Sequence, residues 1–105
     1  MAQGDLTKEI EYDKIEVVST WNIQVRKATK VMEEQADGSK KEMTRSFHRH
    51  VLQPFQSVKG EDYKWTHTAT DISKEDASVQ AIANAAWTDD VKTAYKTFVE
   101  SQTTP

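Results

Sequence analysis

Three histidines hold most of this chain's capacity for metal or proton chemistry: His48 and His50 in Ser46-Phe47-His48-Arg49-His50, and His67. On an extended strand, His48 and His50 point the same way, with Cα atoms about 6.5–7 Å apart. Two imidazoles at that spacing can share a metal ion, with His67 or a symmetry-related copy adding ligands. They can also form a pH-sensitive contact. His-x-His is a short motif, and the nearby carboxylates follow no ligand spacing. The plainer reading is a pair of histidines on the solvated side of a sheet. Arg26, Arg45 and Arg49 with Lys27 and Lys30 make a basic stripe suited to an anion or an acidic partner. Cross-strand pairing with Glu33, Glu34 and Glu42 accounts for that stripe more simply. The acidic pairs Glu75-Asp76 and Asp89-Asp90 sit where helix N-termini favour negative charge. Ser46 and Ser57 lack a nucleophile-elbow context, and no Ser-His-Asp arrangement can be argued from the sequence. No catalytic or cofactor-binding residue is assigned, and the expectation is a protein that is not an enzyme and has no cofactor. Trp21, Phe55, Tyr63 and Trp65 are the aromatics least tied to a core pattern, and are the candidate interface residues.

The elements that position these residues fall into two halves. In the first, Ile10 and Tyr12 alternate on one side and Ile15 and Val17 on the other, with a slip at Asp13-Lys14 that suggests a bulge or bend. Strands are expected near 9–18, 23–34 and 40–52. Ser19-Thr20 turns the chain between the first two. Ala36-Asp37-Gly38 is a hairpin signal between the second and third. A two-residue Asp37-Gly38 turn would pair odd with even positions. A three-residue loop with Gly38 left-handed pairs odd with odd, and is preferred. It gathers Ile23, Val25, Thr29 and Val31 on a face with Met43, Phe47 and Val51, although Lys27, Arg45 and Arg49 fall there too.

The second half reads as two helices near 74–87 and 89–101. Ser73 is the expected N-cap of the first and Thr88-Asp89-Asp90 opens the second. Val79, Ile82, Ala83, Ala86 and Trp87 form one apolar face, and Val91, Ala94, Tyr95, Phe98 and Val99 the other. The connector 53–70 is long and carries Phe55, Tyr63 and Trp65, with a small hairpin suggested around Lys59-Gly60-Glu61-Asp62. Residues 101–105 form a tail expected to fray. The predicted architecture is α+β, a three-stranded antiparallel sheet packed against two C-terminal helices. Phe47, Trp87, Tyr95 and Phe98 are its expected large core side chains.

At 105 residues the chain is sized for a single domain. Its 36% hydrophobic and 30% charged residues lean soluble, and three each of Trp, Tyr and Phe argue against disorder. A net charge of −3 argues against nucleic acid as a main partner. The lack of cysteine excludes disulfides and thiol chemistry. No apolar run is long enough for a membrane span, and Met1 to Glu9 lacks the pattern of a secretory signal.

Residues 11–18 (Glu-Tyr-Asp-Lys-Ile-Glu-Val-Val), 23–29 (Ile-Gln-Val-Arg-Lys-Ala-Thr), 46–51 (Ser-Phe-His-Arg-His-Val) and 79–88 (Val-Gln-Ala-Ile-Ala-Asn-Ala-Ala-Trp-Thr) resemble small proteins of tailed bacteriophages, especially marine and cyanobacterial ones. The connector and the residues around Gln35-Ala36 depart from the shorter pattern of that group. The resemblance implies a virion- or tail-associated structural or adaptor role. It further implies other virion proteins as partners, residence in the virion or in the host cytoplasm during assembly, and no catalytic residues to carry over. Symmetric copies, as a homo-oligomer or ring component, are expected of such a protein. The rival readings are a metal-binding protein using His48 and His50, and a small phage protein that binds a host factor.

Overall fold

Glycine and turn chemistry set the register of the first three strands. A computed structural model describes residues 4–102, and places β1 at Leu6–Val18, β2 at Asn22–Glu34 and β3 at Lys40–Leu52. They form a sheet in the order β1-β2-β3. At one end Gly4 donates to the Glu34 carbonyl at 2.9 Å, and Glu34 donates to the Asp5 carbonyl at 3.0 Å. Two residues of one strand thus face one residue of the other, and Gly4 takes φ +88°. This is a bulge led by a left-handed glycine. Beside it the β2–β3 turn repeats the geometry. Gly38, at φ +87°, donates to Gln35 at 3.0 Å, and Gln35 donates to Ser39 at 2.7 Å. The loop is therefore the three-residue Ala36-Asp37-Gly38 expected from the sequence. Asp37 braces it by accepting from the Ser39 N–H at 2.9 Å, and hydrogen bonds from Ser39 hold its carboxyl below the usual range.

The bulge puts Asp5 opposite Glu34. Continued along the strands, that register puts Asp13 opposite Arg26. Ser19, Thr20 and Trp21 form the turn between β1 and β2, with φ of 56° at Ser19 and 68° at Thr20. Two positive φ angles match the twist of a tight hairpin, but this turn has no Gly, Asn or Asp to relieve the strain. β1 itself runs unbroken through Asp13-Lys14.

Alternation shifts by one residue in β3. Glu42 and Arg45, three apart, pair through two hydrogen bonds of 3.1 and 2.7 Å. The Arg26 guanidinium lies 4.5 Å from the centre of the Phe47 ring. An even position of β2 thus shares a face with an odd position of β3, contrary to the odd-with-odd pattern at the turn. The shift removes Phe47 from the Ile23–Val25 face expected of it. Ile23 and Val25 are buried, whereas Phe47 remains 44% exposed.

The connector holds a second, two-stranded sheet, β4 at Phe55–Lys59 and β5 at Trp65–Ala69. It is the hairpin suggested around Lys59 to Asp62. The helices follow: α1 at Ala77–Ala86 and α2 at Asp89–Ser101. Thr88 caps α2 by accepting from the Val91 N–H at 3.2 Å. The cap of α1 is Asp76, not the expected Ser73. Asp71 accepts from the Ser73 N–H at 2.9 Å, and Glu75 N–H donates to Ile72 at 3.0 Å, so residues 71–75 are spent in a turn. Asp76 then accepts from the Ser78 N–H at 3.1 Å. The helix faces follow the predicted spacing, with Val79, Ala83, Trp87 and Tyr95 buried, while Phe98 stays partly exposed. Of the tail, residues 103–105 lie outside the described residues, as do residues 1–3.

The chain packs as two compact units, residues 4–15 with 25–50 and residues 16–24 with 51–102. The division falls within β1, β2 and β3 and not at a linker. In the second unit, Trp87 Nε1 donates to the Trp21 carbonyl at 2.8 Å, and the Trp21 ring meets Tyr95 edge-on at 5.7 Å.

The two turn types predict stability changes of opposite sign. Thr20→Gly relieves a β-branched residue at positive φ and is expected to stabilise by about 1 kcal/mol. Gly38→Ala is expected to destabilise by about 1–2 kcal/mol. A Cβ at Gly38 would meet nothing within 4 Å, so the cost is conformational alone. Urea unfolding of both variants checks the pair of signs.

Candidate functional site

Within the first unit, register brings charge and an aromatic ring together on one face. Arg26 Nε and a terminal nitrogen donate to the two Asp13 oxygens at 2.9 and 2.8 Å. The Asp13 side chain is only 10% exposed. The hydrogen bonds from Arg26 hold the Asp13 carboxyl below the usual carboxylate range, outweighing the opposing effect of burial. Arg45 and Arg49 also lie near the Phe47 ring, at 6.0 and 5.7 Å from its centre. Phe47 is therefore an apolar disc flanked by three guanidinium groups, an arrangement that attracts anionic or aromatic groups. Lys30 reaches Glu11 at 3.4 Å, and Arg45 lowers the Glu42 carboxyl as Arg26 lowers Asp13.

The basic stripe is thus largely a set of ion pairs, as its simpler reading held. Its main partners are Glu11 and Asp13 on β1, which the sequence reading overlooked in favour of Glu33 and Glu34.

His48 and His50 do point the same way, with ring centres 6.0 Å apart. His67 is no spare ligand. Its Nδ1 lies 2.7 Å from Ser57 Oγ and its Nε2 lies 2.7 Å from Glu100 Oε2. Among the described residues no group of three His, Asp or Glu is placed to hold a metal ion.

The row Ser57–His67–Glu100 belongs to the second unit and was invisible in the sequence. Ser57 pairs with His67 in the β4–β5 register. Gly60 N–H donates to Lys64 at 2.8 Å and Thr70 N–H donates to Pro54 at 3.0 Å, so the bonded pairs of this ladder fall at even positions of β4. Ser57 and His67 form a pair without backbone bonds between them, where side chains approach most closely. Glu100 can only accept from Nε2–H, and Nδ1 shares a hydrogen bond with the Ser57 hydroxyl. Phe55 meets the imidazole edge-on at 6.0 Å and Trp65 stacks on it at 6.1 Å. The Glu100 side chain is half exposed, so water competes for its charge. The row ties the hairpin to α2. Beside it lies an open groove of about 490 Å³, lined in part by Phe55, Ser57, Trp65, Tyr95 and Val99.

The four candidate interface aromatics do not share one environment. Trp21 is half-buried against Tyr95 and Phe98. Phe55 stacks with Tyr95 and lies under the Lys96 ammonium at 4.6 Å. Trp65 is half-buried on His67. Tyr63, at the β4–β5 turn with φ 62°, is 81% exposed. The larger exposed apolar set lies on β1 and β3: Leu6 (62%), Ile10 (61%), Met43 (49%) and Phe47.

No protein-family model, no curated protein and no solved structure matches this chain. No helix among the described residues is long and apolar enough to cross a membrane.

The Asp13 pair predicts an acid response. Its lowered folded-state pKa means the unfolded chain binds a proton at a pH where the folded chain does not. The pair therefore stabilises above the ordinary carboxylate range, and that stability is lost as pH falls through the folded value. Asp13→Asn should flatten this part of the stability curve, measured by thermal melts from neutral to strongly acidic pH. At His67, Glu100→Gln keeps an acceptor for Nε2–H and should melt close to the parent at neutral pH, whereas His67→Ala should melt lower.

Proposed function

We propose that this chain is a non-enzymatic structural or adaptor protein that acts through protein–protein contacts made by its long sheet. The observation that carries this reading is the exposure of Leu6, Ile10, Met43 and Phe47 on β1 and β3, the two outer strands. Leu6 and Ile10 lie on the face of the sheet opposite to Phe47, so both faces of the outer strands expose large apolar side chains, each of which gains by leaving water. On the Phe47 face, three guanidiniums beside an aromatic ring supply the residue types that are enriched at binding surfaces. The resemblance of four segments to phage proteins supports a virion- or tail-associated setting, with other virion proteins as partners.

Mass spectrometry of purified particles tests the setting: the chain is expected among their components, and its absence from them would contradict a structural role there. The surface is tested separately. Ile10→Ser and Met43→Ser should change stability by under about 0.5 kcal/mol, as exposed substitutions do. The double variant should nevertheless lose capture of the particle proteins that the tagged parent retains. Retained capture would remove the sheet as the contact surface.

A further inference from the structure

Once the ion pairs inside the sheet are counted, β3 alone of the two outer strands keeps a charge surplus. In β1 the charges cancel: Arg26 takes Asp13, Lys30 takes Glu11, and Lys8 and Lys14 match Glu9 and Glu16 in number. In β3, Arg45 takes Glu42, while Lys40, Lys41 and Arg49 have no carboxylate partner among the described residues. Two of these cations stand at the turn end of β3 and one at the far end, with the exposed Met43 and Phe47 between them. The backbone of this strand is open as well. Every residue from Lys40 to Arg49 is exposed, and β2 is the one strand neighbour of β3. Glu34 donates to Asp5, so even-numbered residues of β2 turn their backbone groups toward β1. The β3 residues that share the Arg26 face therefore turn theirs away from β2. These are Arg45, Phe47 and Arg49, and both arginines lie beside the Phe47 ring.

We infer that the free edge of β3 takes a further strand from a different protein, an extended segment with carboxylates at both ends and apolar side chains between them. The edge amides and carbonyls supply main-chain bonds to such a segment, and the side chains beside them supply its selectivity. Unlike charges directly opposite stabilise a strand pair, and like charges destabilise it. A second copy of this chain does not offer the complement. β3 against β3 would oppose cations to cations, and β1 has no acidic surplus. The pairs Glu61-Asp62, Glu75-Asp76 and Asp89-Asp90 lie in a turn and at helix starts, not on extended edges. Lysine on an outer strand also guards a sheet against unwanted pairing. That guard repels neutral and basic strands, and becomes an attraction for one that carries carboxylates.

The inference rests on the protein-contact reading above, and narrows it to one edge and one partner chemistry. The probe is a synthetic peptide of about ten residues, enough to span Lys40 to Arg49 at ~3.3 Å per residue. It has two Glu at each end and alternating Thr and Val between them, and its control carries Lys in place of Glu. Titration into the full chain is followed by NMR. With the acidic peptide, the Arg45, Phe47 and Arg49 amides are expected to shift and to exchange more slowly with solvent. Exchange at Ser46 and His48, which turn toward β2, is expected to stay as it was. Added salt should weaken the complex, and the Lys peptide should leave the spectrum unchanged. The variant Lys41→Glu with Arg49→Glu, confirmed as folded by circular dichroism, should bind the acidic peptide on the order of tenfold more weakly. No binding of the acidic peptide, equal binding of the two peptides, no slowing at the three edge amides, or unchanged binding by the variant would each overturn the inference. If the acidic peptide fails while the tagged parent still captures particle proteins, the protein-contact reading stands and only the acidic strand is removed. If the peptide adds to β3 while the parent captures no particle protein, the edge site stands and the particle setting falls.

Discussion

Arg26 grips Asp13 with two parallel N–H···O bonds, and much else in the first unit depends on that grip. Side chains alternate across a strand with period two, so a slip of one residue would carry every side chain of β1 to the opposite face. The Asp13–Arg26 pair opposes such a slip from the middle of the strands, while the Gly4 bulge and the Ser19-Thr20 turn oppose it from the ends. Once Arg26 is held, its guanidinium lies over Phe47, and the third strand takes its place relative to the first two. The pair is partly buried, and its bidentate geometry is demanding. It contributes to register as well as to stability.

Both units combine buried and exposed apolar side chains. Val25 and Ala28 are buried in the first unit, while Leu6, Ile10, Met43 and Phe47 are not. The second unit is closed differently. Trp87, Tyr95, Val79, Ala83 and Ile23 are buried there, and hydrogen bonds from Trp87 to Trp21 and from Tyr95 to Gln53 satisfy polar atoms that accompany the rings. The second unit also exposes Val17, Val51, Val58, Tyr63 and Phe98, so each unit carries exposed apolar side chains beside its buried set.

The elements themselves were largely legible in the sequence, because each rests on local chemistry. Strand bounds followed from alternation, the 36–38 loop from a glycine required at positive φ, and α2 from its Thr88 cap. The misses have a common cause, since each needed information from beyond the local window. Ser73 has the chemistry of a cap, but Asp71 captures it in a turn and the helix waits for Asp76. Phe47 fits an apolar alternation that a one-residue shift in β3 redirects. Ser57 and His67 could have been paired by centring a hairpin on Asp62, but nothing local brings Glu100 to His67. His48 and His50 were placed correctly relative to each other by strand geometry, which fixes neighbours at i and i+2 and says nothing about a third ligand.

Register is the claim on which the account of surface and contact stands, and proton NMR reads it directly. In an antiparallel pair the Hα atoms of residues without mutual backbone bonds lie closest. With Asp5 opposite Glu34, those pairs include Tyr12 with Lys27 and Lys14 with Val25. Strong Hα–Hα cross-peaks between these residues are predicted. Cross-peaks displaced by one residue, from Tyr12 to Arg26 or to Ala28, would contradict the account.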